Sequence, residues 1–387
     1  MERSTEWGSV RSRFLGSTAI LLLALSTWVG AEDRPTTPDV PVTTLAPVKG
    51  VWVLTSEGKT VPAESFRRGL QTSGLFHGQG LLWSVGDQRS QYPGHLLLVD
   101  PSTGRLVGRP IRLEAPDDDS DSLVAAYRAL SNSDLEGLTR HPSKIDTLYA
   151  VTEDKHQWVI EIRLDAPAGV SIASARETVR EARAARIRAR LVRISKLEFP
   201  ENVRPFRDDT NSRLEGVTFF PGENALLLAY ERLDDELPRL FRVGFESDGG
   251  VQRRPSLVPI DFSKVSRRSD KSRARLNING VVAFERAGRK WVIAVARDQE
   301  RLLIIDLEAR RVVRALDLEL RSPEGKRMLW VSPEGVAADP GVGKVWVIND
   351  PDSIRGNYRL LKDEKATGKF AEYAPQLFGF EMAKVLD

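Results

Sequence analysis

The chain of 387 residues is 41% hydrophobic and 29% charged, the balance of a soluble globular protein with a sizeable core rather than a disordered or fibrous one. Its 57 basic and 54 acidic residues nearly cancel, at +3, so charge gives no case for nucleic acid as a partner. Cysteine is absent, which excludes disulfide staples and a lipidated N-terminal cysteine.

In chain order, Arg11 and Arg13 precede "FLGSTAILLLALSTWVGA", an apolar run that ends on the small residues Val29 and Ala31 and meets polar "EDRPTTPD". This is the layout of an export signal over residues 1–31. Cleavage is expected after Ala31, leaving the protein periplasmic or extracellular. The run approaches the ~18–20 residues that span a bilayer, but its Ser, Thr and Gly content and small-x-small ending favour cleavage over an anchor. Residues 32–48, "EDRPTTPDVPVTTLAPV", read as an extended Pro/Thr-rich linker, and 49–387 as the folded domain. No later segment has the length and apolarity of a membrane span, and a monomer is expected.

Short β-type runs then dominate: "GVWVLT", "GLLWSVG", "HLLLVD", "DTLYAVTE", "WVIEIRLD", "ALLLAYE", "LFRVGF", "KWVIAVAR", "RLLIIDLE" and "KVWVIND". Each is rich in branched and aromatic residues and is bounded by turns such as "HGQG", "HPSK", "PGEN", "ERAGRK" and "DPGVGK". They recur in a fixed order over 67–115, 131–203, 212–265, 275–322 and 330–387: a Gly-bearing strand, a turn, a very apolar strand, a polar stop and a third strand. A β-sandwich accounts for short strands but not for that order. The expectation is an all-β fold, a β-propeller with five recognisable blades, a degenerate sixth being left open. The spare N-terminal strand in "VKGVWVLTSEG" is expected to complete the last blade beside "LFGFEM".

Two segments break the pattern. Residues 174–190, "SARETVREARAARIRAR", read as a short helical insertion with a solvated charged face, running into the outer strand of the second unit. Residues 115–134, "APDDDSDSLVAAYRALSNSD", read as an acidic loop and one turn of helix, without the interleaved acids of an EF-hand loop.

Propeller geometry places the repeats functionally. The first strand of each blade lines the channel and the second returns antiparallel, so starts of the first and ends of the second share one mouth. The starts are Ser73-Gly74, Glu136-Gly137, Glu215-Gly216, Asn279-Gly280 and Glu334-Gly335; the ends are Asp87, Glu153-Asp154, Glu231-Arg232, Arg297-Asp298 and Asn349-Asp350. Glycine near a crowded axis lets backbones approach. Three carboxylates and an amide at one point (Glu136, Glu215, Glu334, Asn279) repel unless a cation, basic partners or raised pKa values intervene. With four histidines and no cysteine, that oxygen set suits Ca²⁺ or Mg²⁺ better than zinc. The same glutamates can instead knit adjacent blades, or act as acids and bases, and the sequence leaves these readings open. Behind them stand Glu153, Asp154, Glu231 and Asp298 as candidate catalytic carboxylates, with His156 the histidine closest to an acidic cluster. His77 and His141 are expected at the surface of the opposite face. No nucleophile elbow, P-loop or dinucleotide fingerprint occurs.

The segments "DLEGLTRHPSKIDTLYAVTED", "RLEGVTFFPGENALLLAYER" and "SPEGVAADPGVGKVWVIND" resemble the phytase-like propeller family, named for an "esterase-like activity of phytase", and the related SdiA-regulated propellers. The resemblance spans about residues 67–350. It implies an exported propeller, a Ca²⁺-assisted hydrolase of phosphate or other esters acting on a small-molecule substrate. Glu136, Glu215 and Glu334 carry over as channel-mouth acids, and Asn279 departs from the pattern. Phosphate chemistry would also need basic groups, for which Lys155, Arg232 and Arg297 are candidates because each adjoins a mouth acid. A weaker resemblance is to lactonase-type propellers, which also place a Glu-Gly metal ligand at the mouth. The rival from another class is a non-catalytic envelope propeller that binds a protein, glycan or small ligand.

Overall fold

Leu226, Leu227, Leu228 and Ala229 are consecutive, apolar and fully buried. Successive strand residues face opposite sides, so such a run needs cover on both faces. It has that cover: Leu226 and Leu228 pack in one cluster with Tyr149 and Val151, while Leu227 and Ala229 pack in another with Val281 and Val292. The whole fold repeats this arrangement, with sheets standing face to face around an axis.

The computed structural model describes residues 39–61, 69–116, 121–130, 134–153, 157–165, 187–201, 203, 213–233, 237–266, 276–328, 331–351 and 374–387. The expected signal segment, most of the 174–190 insertion, and Asp154, Lys155 and His156 lie outside them. Three short strands open the described chain: β1 (Val42–Thr44), β2 (Val48–Lys49) and β3 (Val51–Trp52). The first repeat unit is β4 (Thr72–Gly78), β5 (Leu81–Gly86), β6 (His95–Val99) and β7 (Ile111–Glu114). Helix α1 (Asp121–Leu130) follows, ten residues long where the sequence suggests one turn; it is tied back by the Tyr127 hydroxyl, which donates to the Leu113 carbonyl at 3.0 Å.

The second unit is β8 (Leu135–Arg140), β9 (Thr147–Thr152), β10 (Trp158–Asp165) and β11 (Arg188–Lys196). The third is β12 (Leu214–Phe219), β13 (Ala225–Tyr230), β14 (Arg239–Gly244) and β15 (Ser256–Val258). The fourth is β16 (Gly280–Arg286), β17 (Arg289–Ala296), β18 (Arg301–Asp306) and β19 (Arg311–Asp317), followed by a short β20 (Leu320–Arg321). The fifth is β21 (Pro333–Asp339), β22 (Lys344–Asn349) and β23 (Gln376–Glu381), after which α2 (Met382–Leu386) buries Met382 and Val385.

Each unit is an antiparallel meander, and the fifth is completed as the sequence suggests: β3 pairs with β23, Gln376 opposite Trp52 and Leu377 opposite Val51. Strands from the N-terminal and C-terminal parts of the described residues thus share one blade. Segment 39–48, read as linker, is extended in this part and bound along the fourth blade. There β1 runs parallel to β19, β2 runs parallel to β20, and Val40 and Leu45 are buried. The first two units also touch at their outer edges, where β7 and β11 pair in parallel through Leu113–Ala189 and Glu114–Arg190.

Five apolar clusters fill the five gaps between neighbouring units, including the gap between the fifth and the first, where Leu82, Leu97 and Val99 meet Ala337, Trp346 and Ile348. This is a β-propeller, and the described residues form five blades with inner strands β4, β8, β12, β16 and β21. No helix among the described residues is long and apolar enough to cross a membrane.

The ring closes tightly at five glycines. A Cβ on Gly74 would lie 2.2 Å from the Glu136 carbonyl oxygen, one on Gly137 2.4 Å from the Val217 amide nitrogen, and one on Gly280 2.3 Å from the Glu334 carbonyl oxygen. Gly216 stands against Val281 in the same way, and Gly335 against Gly74. Gly137→Ala is therefore expected to force a backbone shift costing about 1–3 kcal/mol, read as a lower urea midpoint. Gly379→Ala, whose new methyl would meet its nearest neighbour at an ordinary 3.7 Å, is expected to be neutral or slightly stabilising.

Candidate functional site

The acids of the repeat sit at breaks in the inner-strand ladders. Pairing of β12 with β13 skips Glu215, pairing of β21 with β22 skips Glu334, and pairing of β8 with β9 skips Glu136 and Gly137. An extra residue in one strand re-aims its side chain, here out of the ladder that would otherwise point it into an inter-blade core. The fourth blade differs: β16 pairs with β17 without interruption, and the backbone N–H of Asn279, just before it, donates to the Val295 carbonyl at 3.0 Å. Sequence reasoning finds the Glu-Gly pairs but not these bulges, which have no local signal beyond the glycine itself.

The bulges bring the expected acids together. Carboxylate oxygens of Glu136, Glu215 and Glu334 lie within 4.8 Å of one another, as do those of Glu153, Glu215 and Glu231, and those of Asp134, Glu136 and Glu153. Glu136, Glu215, Glu334, Glu153 and Glu231 are all buried. Strand ends therefore do meet strand starts at one mouth: the Glu153 amide donates to the Asp134 carbonyl at 3.1 Å and the Glu231 amide to the Arg213 carbonyl at 2.7 Å.

Arg297 is the charge at the centre of this group. One guanidinium nitrogen lies 2.8 and 3.0 Å from the two oxygens of Glu334, and the other 3.7 Å from Glu231. Arg297, expected to meet substrate, thus faces the ring's own carboxylates first, although 27% of its side chain remains exposed. Burial works against its charge, but Glu334, Glu215 and Glu231 outweigh burial and hold its pKa above the ordinary arginine value. Asn277, which no motif singles out, donates to Glu231 at 2.9 Å and accepts the Asp298 amide at 3.0 Å, fixing that expected carboxylate by its backbone. Arg232 is buried. Gln88 donates to both oxygens of Asp134, at 3.2 and 2.9 Å, across the first two blades.

One arginine does not balance so many acids. Burial first, and then neighbouring carboxylates, push Glu136 (Asp134, Glu215) and Glu215 (Glu153, Glu231) well above the usual range. Glu153 is raised in the same way by burial and Glu231, and it is hydrogen-bonded to Glu215, a pairing of two carboxyl groups that needs a shared proton. Burial raises Glu334 to about 8 although Arg297 pulls it back, and burial with Asp134 raises Asp87 to about 8.

The donor set fits a hard cation. Oxygens each about 2.3–2.6 Å from one Ca²⁺ must lie within roughly 5 Å of each other, as these do. Polar atoms are also left over. Both side-chain polar atoms of the fully buried Asn279, and one oxygen each of Glu136, Glu153, Glu215 and Glu231, have no hydrogen-bond partner. Buried polar groups are normally satisfied, so these atoms are free to accept a ligand.

The other histidines depart from expectation. His77 and His141 are on the opposite face but not on the surface. His77 is stacked on Trp346 with ring centroids 4.8 Å apart, and buried His141 accepts the Ser143 and Lys144 amides, each at 3.1 Å.

No protein-family model matches this chain, and no curated protein matches it. The phytase-like family therefore rests on the repeated Glu-Gly segments alone. Solved structures similar to it include glutaminyl cyclase from Myxococcus xanthus, at 14% identity over 86% of this chain and 97% of that one, TM-score 0.42. The PQQ-bound aldose sugar dehydrogenase from Streptomyces coelicolor is 12% identical over 87% of this chain and 100% of that one, TM-score 0.40. The Cps50 (Swd1) β-propeller domain from Myceliophteria thermophila is 11% identical over 75% and 64%, TM-score 0.32. Likeness this distant does not extend to chemistry.

The raised carboxyl groups fix the sign of a pH effect. Glu334 and Asp87 hold protons up to about 8 when folded, against 4.5 and 3.8 for the free side chains, so the folded state binds more protons between those limits. Stability without added metal should then be highest near pH 5, fall as pH rises, and level off above about 8. Thermal melting in a chelator from pH 5 to 9 checks this; a melting temperature that rises across the window would contradict it.

Proposed function

We propose that this protein is a propeller hydrolase that holds a divalent cation, Ca²⁺ by preference, at its acidic mouth and cleaves phosphate or other esters there. The observation that carries this reading is the convergence of Glu136, Glu215 and Glu334, the first two with an orphaned oxygen each, beside an Asn279 whose side-chain amide has no protein partner. Glu136, Glu215, Glu334 and Asn279 would hold the cation, which when bound would offset the carboxylates and polarise an ester oxygen or a water. Glu153 keeps a proton beside the site, because burial and Glu231 oppose its ionisation, and is suited to protonate a leaving oxygen. Glu231, fixed by Asn277 and 3.7 Å from Arg297, is suited to accept a proton from water, and the exposed quarter of Arg297 to meet an anionic group of the substrate. Export, as the N-terminal pattern suggests, would bring such a site to environmental calcium.

A second reading has its own observation. The bonds Arg297–Glu334, Asn277–Glu231, Gln88–Asp134 and Thr72–Asn349 each cross from one blade to another. On that reading the mouth only knits the ring, and the protein is a binding propeller of the envelope. The two diverge on Glu215, which makes no cross-blade bond to a basic or amide side chain among the described residues.

The full chain at pH 7.5 should gain about 5 °C in melting temperature at a hundredfold excess of Ca²⁺ over its Kd. It should also turn over at least one of a phosphate monoester, a carboxylic ester or a lactone in a calcium-dependent way. Glu215→Gln should fold, melt higher than wild type in chelator, and lose both the calcium response and turnover. Wild-type behaviour of Glu215→Gln, with no calcium shift in either protein, would leave the knitting reading.

A further inference from the structure

The opposite end of the channel carries a site of different chemistry. Three or four residues along each inner strand from the acid position, the strands enclose a cavity of about 180 Å³ lined by His77, Arg140, Thr218, Val282 and Ala338, one from each blade, together with Thr139. The rest of its wall is largely leucine, valine and phenylalanine.

Arg140 is the feature that needs an explanation. Its side chain is half-buried, one guanidinium nitrogen is fully enclosed without a hydrogen-bond partner, and no carboxylate among the described residues pairs with it. Gly78 makes room for it, since a Cβ there would sit 3.3 Å from that nitrogen. The carboxylate that could have served is engaged elsewhere: Asp339 lies 2.7 Å from His77 Nδ1 and accepts the Gly341 and Val342 amides at 2.7 and 3.1 Å. Burial lowers the His77 pKa, although Asp339 opposes the effect, whereas Arg140 is a permanent positive charge of the cavity. A guanidinium nitrogen enclosed with no partner is costly, and an anion in the cavity would supply the missing one.

We propose that this cavity binds a small organic carboxylate, with Arg140 as its charge partner and the Thr139 hydroxyl as a further donor. The volume lies below the ~300–1,000 Å³ typical of drug-sized ligands, so the occupant is a short acid rather than a nucleotide or sugar phosphate. Its apolar wall suits a hydrocarbon tail, and a single cation suits a monoanion better than a phosphate dianion. A carboxylate matches the planar fork of arginine. The site is independent of the acidic mouth and of any reaction there.

Calorimetric titration of the full chain with butyrate, and separately with inorganic phosphate, tests this. Saturable binding of one butyrate per chain is expected, weakened at least tenfold in Arg140→Met and in Ala338→Leu, which fills the cavity without touching the arginine. Phosphate is expected not to compete. Without butyrate, Arg140→Met should melt at or above the wild-type temperature, because it removes an unpaired charge. Absence of saturable butyrate binding, unchanged affinity in Arg140→Met, phosphate binding ahead of butyrate, or an Arg140→Met protein that melts well below wild type would each overturn the proposal; the last would make Arg140 a structural residue.

Discussion

Five inner strands meet at an axis where there is no room for a Cβ, and most other features follow from that contact. The glycines at 74, 137, 216, 280 and 335 let each strand lie against the next at backbone distance. Whatever residue precedes the glycine is then carried to the same small region. In three blades that residue is glutamate, in one asparagine and in one serine. Crowding of charge at the mouth is thus a consequence of backbone packing: a glutamate placed once per repeat cannot avoid its counterparts. The bulges at Glu136, Glu215 and Glu334 sharpen the effect, because an uninterrupted ladder would send alternate residues into the apolar gaps between blades.

Packing so many acids together is tolerable only with compensation, and the molecule shows two kinds. Arg297 supplies a fixed positive charge, shared between Glu334 on the fifth blade and Glu231 on the third. Burial and neighbouring carboxylates also hold Glu136, Glu153 and Glu215 well above the ordinary carboxyl range, and raise Glu334 and Asp87 to about 8. Neither kind satisfies every atom, and the orphans are not spread evenly. Asp134 accepts from Gln88 of the first blade and the Asn349 carbonyl from Thr72 of the first blade, whereas Glu136, Glu153, Glu215, Glu231 and Asn279 keep unpartnered side-chain atoms. Cross-blade bonds and unpartnered oxygens therefore occur side by side in one cluster.

Much of the fold is legible in the sequence because its signals are local and repeated. "ALLLAYE" and "KWVIAVAR" are too apolar for strands with one wet face, turn residues mark their ends, and the order recurs at a spacing that fits a blade. Pairing of β3 with β23 is legible for a related reason, since a strand left over at one end must cover an exposed edge at the other. The site is legible only in part. Glu136, Glu215 and Glu334 advertise themselves by repetition, but Arg297 occurs once, and nothing in "VARDQE" distinguishes an internal counter-charge from a substrate-facing base. Asn277 and the attachment of β1 and β2 to the fourth blade depend on contacts between residues far apart in sequence, for which no local pattern exists. His77 looks like a surface residue because it sits near a turn, yet the stacking of Trp346 and the pairing with Asp339 come from the last blade, more than two hundred residues away.

The same geometry that gathers acids at one mouth separates them from Arg140 at the other. All five inner strands run in the same direction along the axis, so the repeat position of a residue sets its height in the channel and its blade sets only its azimuth. Residues three or four places beyond the acid lie roughly 10–13 Å further along, about a Debye length at physiological salt. Conserving the repeat at the start of the strand does not constrain its later positions, and there the blades diverge: His77, Arg140, Thr218, Val282 and Ala338 share a level but no chemistry. A symmetric mouth requires the same residue in several blades, whereas an asymmetric pocket requires them to differ. This chain does both on the same five strands, because a propeller lets identity at one height and variation at another coexist without altering the packing between blades.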